Sequence, residues 1–279
     1  MADALRRIWL VADDYGMSPA VSGAIRDLAA RGRLSATSVM VASPAFDRRE
    51  AQALAALRDA QRPIAIGLHL TLTAPFRPLS HDFTPLRGGA FLPLSALMVR
   101  AFLGRLDSAP IAAEIAAQLA AFSAAFGRPP DYVDGHQHVQ LLPTVRDALV
   151  AAVRQAAPRA WIRQCGSAAG PRQRLADPKG FFLDRLSGPL RARAAAAGLQ
   201  TNPAFAGTYD FGASRPLPAL FAGFFNGLPD GGVVMCHPGK VDDQLRRLDP
   251  VTDQREREYA YLAGEDFAAL LRAQAVELV

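Results

Sequence analysis

Ile8-Trp9-Leu10-Val11-Ala12-Asp13-Asp14-Tyr15-Gly16-Met17-Ser18-Pro19 reads as a strand running into a helix. Ile8–Ala12 is a short apolar run of the kind a buried parallel strand shows. Ser18 and Pro19 supply an N-cap and a first helical residue, and the helix is expected through Ala30, stopping near Gly32. The same unit recurs outward along the chain. Strands are expected at 34–41, 63–69, 131–135, 160–164, 199–205, 232–236 and 275–279, and helices at about 47–60, 109–126, 143–157, 182–197, 216–226, 252–260 and 265–274. Residues 71–107 break the rhythm with Pro75, Pro78, Pro85, Pro93 and Gly88-Gly89, and a long connection of this kind is commonly a lid or binding loop. A second irregular stretch covers 166–180. Seven or eight parallel strands, each followed by a helix, predict an α/β fold: a distorted, TIM-like (β/α) barrel forming a single catalytic domain over 1–279, with a lid-like insertion at about 71–107. An open doubly wound sheet is the alternative, but no G-x-G-x-x-G follows the first strand.

Composition narrows the partners. Of 279 residues, 50% are hydrophobic and 20% charged, enough to bury a large core. The net charge of +5 is spread over scattered arginines, without a run of like charges or an aromatic-interleaved basic stripe, so no nucleic-acid partner is expected. Two cysteines, Cys165 and Cys236, suggest no disulfide framework and fit a reducing compartment. The first apolar run ends at Asp13, too soon for a signal peptide, and Glu114 interrupts the alanine-rich segment at 111–126. A cytoplasmic protein without a membrane span is expected.

The chemistry-bearing residues gather at expected strand ends, the edge where barrel enzymes build their sites. In Ile64–His69, alternation sets Ala65, Gly67 and His69 on one face, with small residues beside the imidazole. In Asp134-Gly135-His136-Gln137-His138, an extended backbone would direct Asp134, His136 and His138 to one side, a set dense in metal-ligand types. Asp13-Asp14 would be costly to bury as two anions without a cation, and a divalent ion resolves that conflict. His237 ends the apolar run Val233–Cys236 and suits a general acid. Cys236 should face away from it, which argues against a thiol–imidazole pair. Arg163, at another strand end, orients Asp13, binds substrate or forms a structural ion pair. Tyr209 stacks on a sugar or packs. The apolar stretch Phe91–Leu103 reads either as a lid touching a lipid tail or membrane surface, or as a helix capping the barrel.

Leu10–Gly16, Gly67–Thr71, Asp134–Val139 and Cys236–Gly239 together resemble, in order and spacing over nearly the whole chain, the four signature blocks of the YdjC-like carbohydrate deacetylases, and most closely their hopanoid-biosynthesis (HpnK) branch. The resemblance implies a metal-dependent hydrolase that removes the acetyl group from an N-acetylated amino sugar, and for this branch an N-acetylglucosaminyl hopanoid lipid. Soluble chito-oligosaccharides are the alternative substrate. It implies Asp14, His69 and His136 as metal ligands, Asp13 as base, His237 as acid, and His138 as a group behind the ligands or facing substrate. Gly135 departs from the serine frequent in relatives. One divalent ion is expected; two nitrogens and one oxygen favour Zn²⁺ over Mg²⁺, the second candidate. Peripheral membrane contact and homo-oligomerisation are compatible with this reading. Two rivals remain: another metal-dependent barrel enzyme, an isomerase or phosphoesterase, although no glutamate falls in the motif segments, and a non-catalytic sugar- or lipid-binding relative.

Overall fold

The computed structural model describes residues 5–58, 63–168, 178–211 and 215–279. Its sheet is built on β1 (Arg6–Tyr15), in which every residue from Leu10 onward is buried, as a strand covered on both faces requires. β2 (Ala36–Val39) and β9 (Val233–Cys236) flank it and are buried throughout. With β3 (Ala65–Leu70), β6 (Tyr132–Gly135), β7 (Trp161–Ile162) and β8 (Phe205–Ala206) the strand order is β7-β6-β3-β2-β1-β9-β8, and β10 (Val276–Leu278) pairs with the first residues of β1. Every pairing in this sheet is parallel. The sheet curls until its edges meet. Ile162 bridges Thr201, and the Phe205 N–H donates to the Gly166 carbonyl at 2.9 Å. This is the distorted (β/α) barrel that the strand–helix alternation predicts.

The helices follow the expected order: α1 (Pro19–Ala30), α2 (Arg48–Ala55), α3 (Leu94–Phe102), α4 (Ser108–Phe126), α5 (Val145–Ala156), α6 (Pro178–Ala196), α7 (Leu217–Phe225), α8 (Asp243–Leu248), α9 (Asp253–Ala263) and α10 (Glu265–Ala273). Ser18 caps α1 through Val21 N, with Pro19 in the first turn. Three expectations need correction. The strand at 199–205 shrinks to one bridge at Thr201 and the pair Phe205–Ala206. The helix expected over 47–60 ends at Ala55, and 59–62 lie outside the described residues, as do 169–177 of the second irregular stretch. α8, with Asp242 capping Leu245 N at 2.7 Å, was not foreseen because its six residues are too few to show a helical period.

The insertion is structured rather than a free loop. β4 (Leu86–Arg87) and β5 (Ala90–Phe91) form a small antiparallel hairpin, and α3 follows it as the capping helix that the apolar stretch allowed. Its base is pinned to α4. The Glu114 carboxylate accepts from Leu79 N at 3.1 Å and Ser80 N at 2.8 Å, and the Gln118 amide bridges the backbone N–H and carbonyl of Thr71. α4 is nevertheless long and apolar enough, by length and composition, to cross a membrane, with a mean hydropathy of 1.4. That corrects the expectation that Glu114 would exclude such a helix. Here α4 lies against β3 and α5, and Glu114 and Gln118 are buried on the face turned to the insertion.

Candidate active site

Six parallel strands deliver polar side chains to one end of the barrel, immediately before or beyond their C-termini. Two departures from regular strand geometry make that possible. Alternation along β1 would turn Asp13 and Asp14 to opposite faces. Instead the pairing register with β2 shifts between Ala12 and Tyr15, and Asp14 takes a left-handed φ of 69°. A bulge of this kind re-aims a side chain at the cost of local strain. After β6 the chain does not stay extended, which corrects the one-sided placement of Asp134, His136 and His138. It turns at once into a 3₁₀ segment (His136–Leu141), with left-handed Gln137 and His138. His138 is thereby carried away from His136, its Nδ1 lying 3.5 Å from the Cys165 sulfur, while its ring still lines the cavity.

Asp14, His69 and His136 meet. Asp14 Oδ1 lies 2.9 Å from His136 Nδ1 and 3.2 Å from His69 Nε2, and each of the three residues offers a ligand atom within 4.8 Å of the others. A tetrahedral ion with bonds near ~2.0 Å holds its ligand atoms about 3.3 Å apart, so the spacing fits a small divalent cation. The other ring nitrogen of His69 is engaged by Asp134 Oδ1 at 2.6 Å and by the Ser38 hydroxyl at 3.0 Å. A carboxylate behind a ligating imidazole fixes its tautomer and aim, and this is the place the structure gives Asp134. A second group, Asp13, His69 and Asp134, is also close enough to hold a metal. Its carboxylates, however, are already balanced by Arg163, whose Nη1 lies 2.6 Å from Asp13 Oδ1 and 3.0 Å from Asp134 Oδ2.

Charge supports the same assignment. The buried carboxylates Asp13, Asp14 and Asp134 and the half-buried Asp249 face two buried guanidiniums, Arg163 and Arg255, leaving two negative charges. Burial opposes a charge on His69, yet Asp134 and Asp13 raise its pKa to about 10, so a proton takes up part of the deficit that a divalent cation would fill. Burial would likewise raise both aspartates. Arg163 nevertheless holds Asp13 below its ordinary value, and Arg255 with His136 holds Asp14 well below it.

Arg163 therefore forms the ion pair that orients Asp13, through both guanidinium nitrogens at 2.6 and 2.8 Å. His237 lines a cavity of about 200 Å³ together with Asp13, Asp14, His136 and His138. Burial lowers its pKa to about 4 against the pull of Asp14 and Asp13, so the imidazole is neutral, and its Nδ1 has no hydrogen-bond partner among the described residues. Cys236 turns away as alternation requires, its thiol directed to the Val11 carbonyl at 3.4 Å. Tyr209 does not reach the cavity. Its hydroxyl bonds Glu258 and accepts from Gln254 Nε2 at 2.8 Å, so it packs. His81 is exposed, away from the cluster.

Sequence reasoning missed Arg255, Glu258 and Phe76. The first two sit on α9, a helix expected over about 252–260 whose buried residues include the polar Gln254, Arg255 and Glu258, so a search for chemistry at strand ends passes over them. Glu258 accepts the His237 backbone N–H at 2.6 Å and brings to the site a glutamate absent from the motif segments. Phe76, from the insertion, packs edge-on against His136 at 5.8 Å. Leu94 of α3 reaches the cavity wall, which joins the insertion to the site.

The YdjC-like protein family matches residues 7–273. A chitooligosaccharide deacetylase of Yersinia pestis (strain Pestoides F) is 33% identical over 189 residues, covering 64% of this chain and 70% of that relative. Among solved structures, a protein of Enterococcus faecalis proposed to act in cellobiose-phosphate cleavage superposes with a TM-score of 0.72 at 21% identity, over 99% of this chain and 97% of the other. A lactam utilization protein of Thermus thermophilus gives 0.53 at 14% identity, over 99% of each chain. The two structures share the fold. With the family matched from the first strand to the last helix, the chain belongs to the YdjC-like proteins.

Proposed function

We propose that this protein is a metal-dependent carbohydrate N-deacetylase that hydrolyses the acetamide of an amino sugar. The observation that carries the reading is the meeting of a buried carboxylate and two imidazoles at the barrel mouth, in a chain whose curated relative is a chitooligosaccharide deacetylase. Asp14, His69 and His136 would hold a divalent ion, with Zn²⁺ favoured by the donor set, and when bound it would make water more acidic and polarise the acetyl carbonyl. Asp13 is the base. Arg163 occupies one lone pair on each of its oxygens, keeping it ionised and leaving the others to take the water proton as the oxygen bonds to the acetyl carbon. His237 is the acid. Neutral at rest, it gains proton affinity as negative charge builds on the substrate, takes up the proton that Asp13 has drawn from the water, and delivers it to the nitrogen as the C–N bond breaks. Acetate and a free amine leave.

The finer substrate in this reading is a lipid-linked N-acetylglucosamine. α3 turns Val99 and Phe102, with Leu103 just beyond its end, to solvent at 58, 47 and 58% exposure, and Phe102 meets the exposed Phe182 of α6. The same helix lines the cavity through Leu94, so an apolar aglycone leaving the cavity would run along this face. The test is acetate release from N-acetylglucosamine, chitobiose and an N-acetylglucosaminyl hopanoid, with and without a chelator. Chelator-sensitive release from at least one supports the deacetylase. No release from any metal-loaded sample overturns it, and a preference for chitobiose over the lipid overturns the finer assignment.

A further inference from the structure

Asp14 divides its two oxygens between different partners. Oδ1 faces His136 and His69, while Oδ2 is capped by Arg255 Nη2 at 2.6 Å. The guanidinium is buried and held from behind. The same Nη2 lies 2.6 Å from Asp249 Oδ2, and Nε donates to the Val251 carbonyl at 3.0 Å. The backbone also fixes its approach. The Gly239 N–H donates to the Arg255 carbonyl at 3.0 Å, and a Cβ on Gly239 would lie 3.4 Å from Arg255 Cβ and 3.1 Å from Val21. The glycine closing the Cys236–Gly239 block therefore lets α9 press Arg255 against Asp14.

We infer that Arg255 is a positioning residue that confines Asp14 to one-oxygen ligation, trading metal affinity for open positions on the ion where water and substrate bind. This rests on the metal centre of the reading above. A carboxylate can ligate through one oxygen or both, and a second oxygen takes a position that a hydrolytic site keeps open. A buried cation beside the ligand also weakens that ligand's pull on the ion. Both effects have the same sign: removing Arg255 tightens metal binding and slows turnover. Loss of a merely structural residue would weaken both.

The experiment measures Zn²⁺ affinity by chelator competition and acetate release by steady-state kinetics for the full chain, Arg255→Met and Arg255→Lys. Arg255→Met should bind Zn²⁺ on the order of tenfold tighter, while kcat falls at least about tenfold and KM changes little. Arg255→Lys, which returns a cation to Asp14 Oδ2, should bring Zn²⁺ affinity back toward that of the unsubstituted protein. Should Arg255→Met fail to fold, Arg255→Gln carries the same expectation. Weaker or unchanged Zn²⁺ affinity in the neutral variant overturns the inference. A protein that binds Zn²⁺ but releases no acetate overturns the deacetylase reading instead, and the affinity comparison still decides the role of Arg255.

Discussion

The two ring nitrogens of His69 are committed to different partners: Asp134 and Ser38 hold Nδ1, and Nε2 is left to face Asp14. Truncating it removes a candidate ligand and leaves Asp134 to Arg163 alone, so His69→Ala should lose stoichiometric metal by elemental analysis. Asp13→Asn and His237→Ala leave the proposed ligand set whole. They should keep the metal and lose at least ~100-fold in rate, as removal of a general base or acid does. Metal retained at full activity in His69→Ala would refute the ligand assignment. Glu258 gives a pH-dependent prediction. Burial, only partly offset by Tyr209 and the His237 N–H, raises its pKa from 4.5 to about 7. A carboxyl raised on folding contributes stability that is present below pH 4.5 and lost as pH rises through about 7. Glu258→Gln should remove that decline, so its stability relative to the unsubstituted protein should improve between about pH 5 and pH 8 in urea unfolding. An equal difference at both pH values would show that burial is not the cause.

β3 and α4 show what single elements decide. The small residues on the face of β3 that carries His69 do more than leave room for an imidazole. A Cβ on Gly67 would lie 2.4 Å from Tyr132 Cζ, and that ring is buried and stacked on Trp161 at 4.5 Å, with nowhere to retreat. Gly67→Ala should cost about 1–3 kcal/mol in chemical denaturation, the usual penalty for overpacking. On α4, Glu114 takes three hydrogen bonds from Leu79 and Ser80. Glu114→Ala removes the acceptor of these bonds, at roughly 0.5–1.5 kcal/mol each since their donors lie on exposed Leu79 and half-buried Ser80, and should open the base of the insertion to proteolysis. An unchanged digestion pattern would show that the insertion is held elsewhere. The strand–helix order and the α1 cap were legible because periodicity and capping act locally. The bulge at Asp14 and the turn after His136 were not, since either backbone path suits the same side chains until neighbouring strands and a shared charge centre select one.

Across the whole molecule the insertion joins the site to an exposed apolar face. If that face meets a lipid surface, Phe102→Asp with Leu103→Asp should abolish co-sedimentation with anionic vesicles and leave turnover of chitobiose unchanged; equal binding by both proteins would locate any membrane contact elsewhere. Local pattern was enough to establish the parallel α/β order and the direction of Cys236, and to single out Asp14, His69, His136 and His237 as candidates, because strand ends converge on one rim and alternation governs which way a residue faces. Closure of the barrel was needed to show that Asp134 backs His69, that Arg163 grips Asp13, and that a polar-faced helix from late in the chain carries Arg255 and Glu258 into the site. Those partners lie 65, 150 and 241 residues apart, for the pairs Asp134–His69, Arg163–Asp13 and Arg255–Asp14. No local period or propensity encodes such pairs; a buried charge finds its counter-ion only once the sheet has curled around both.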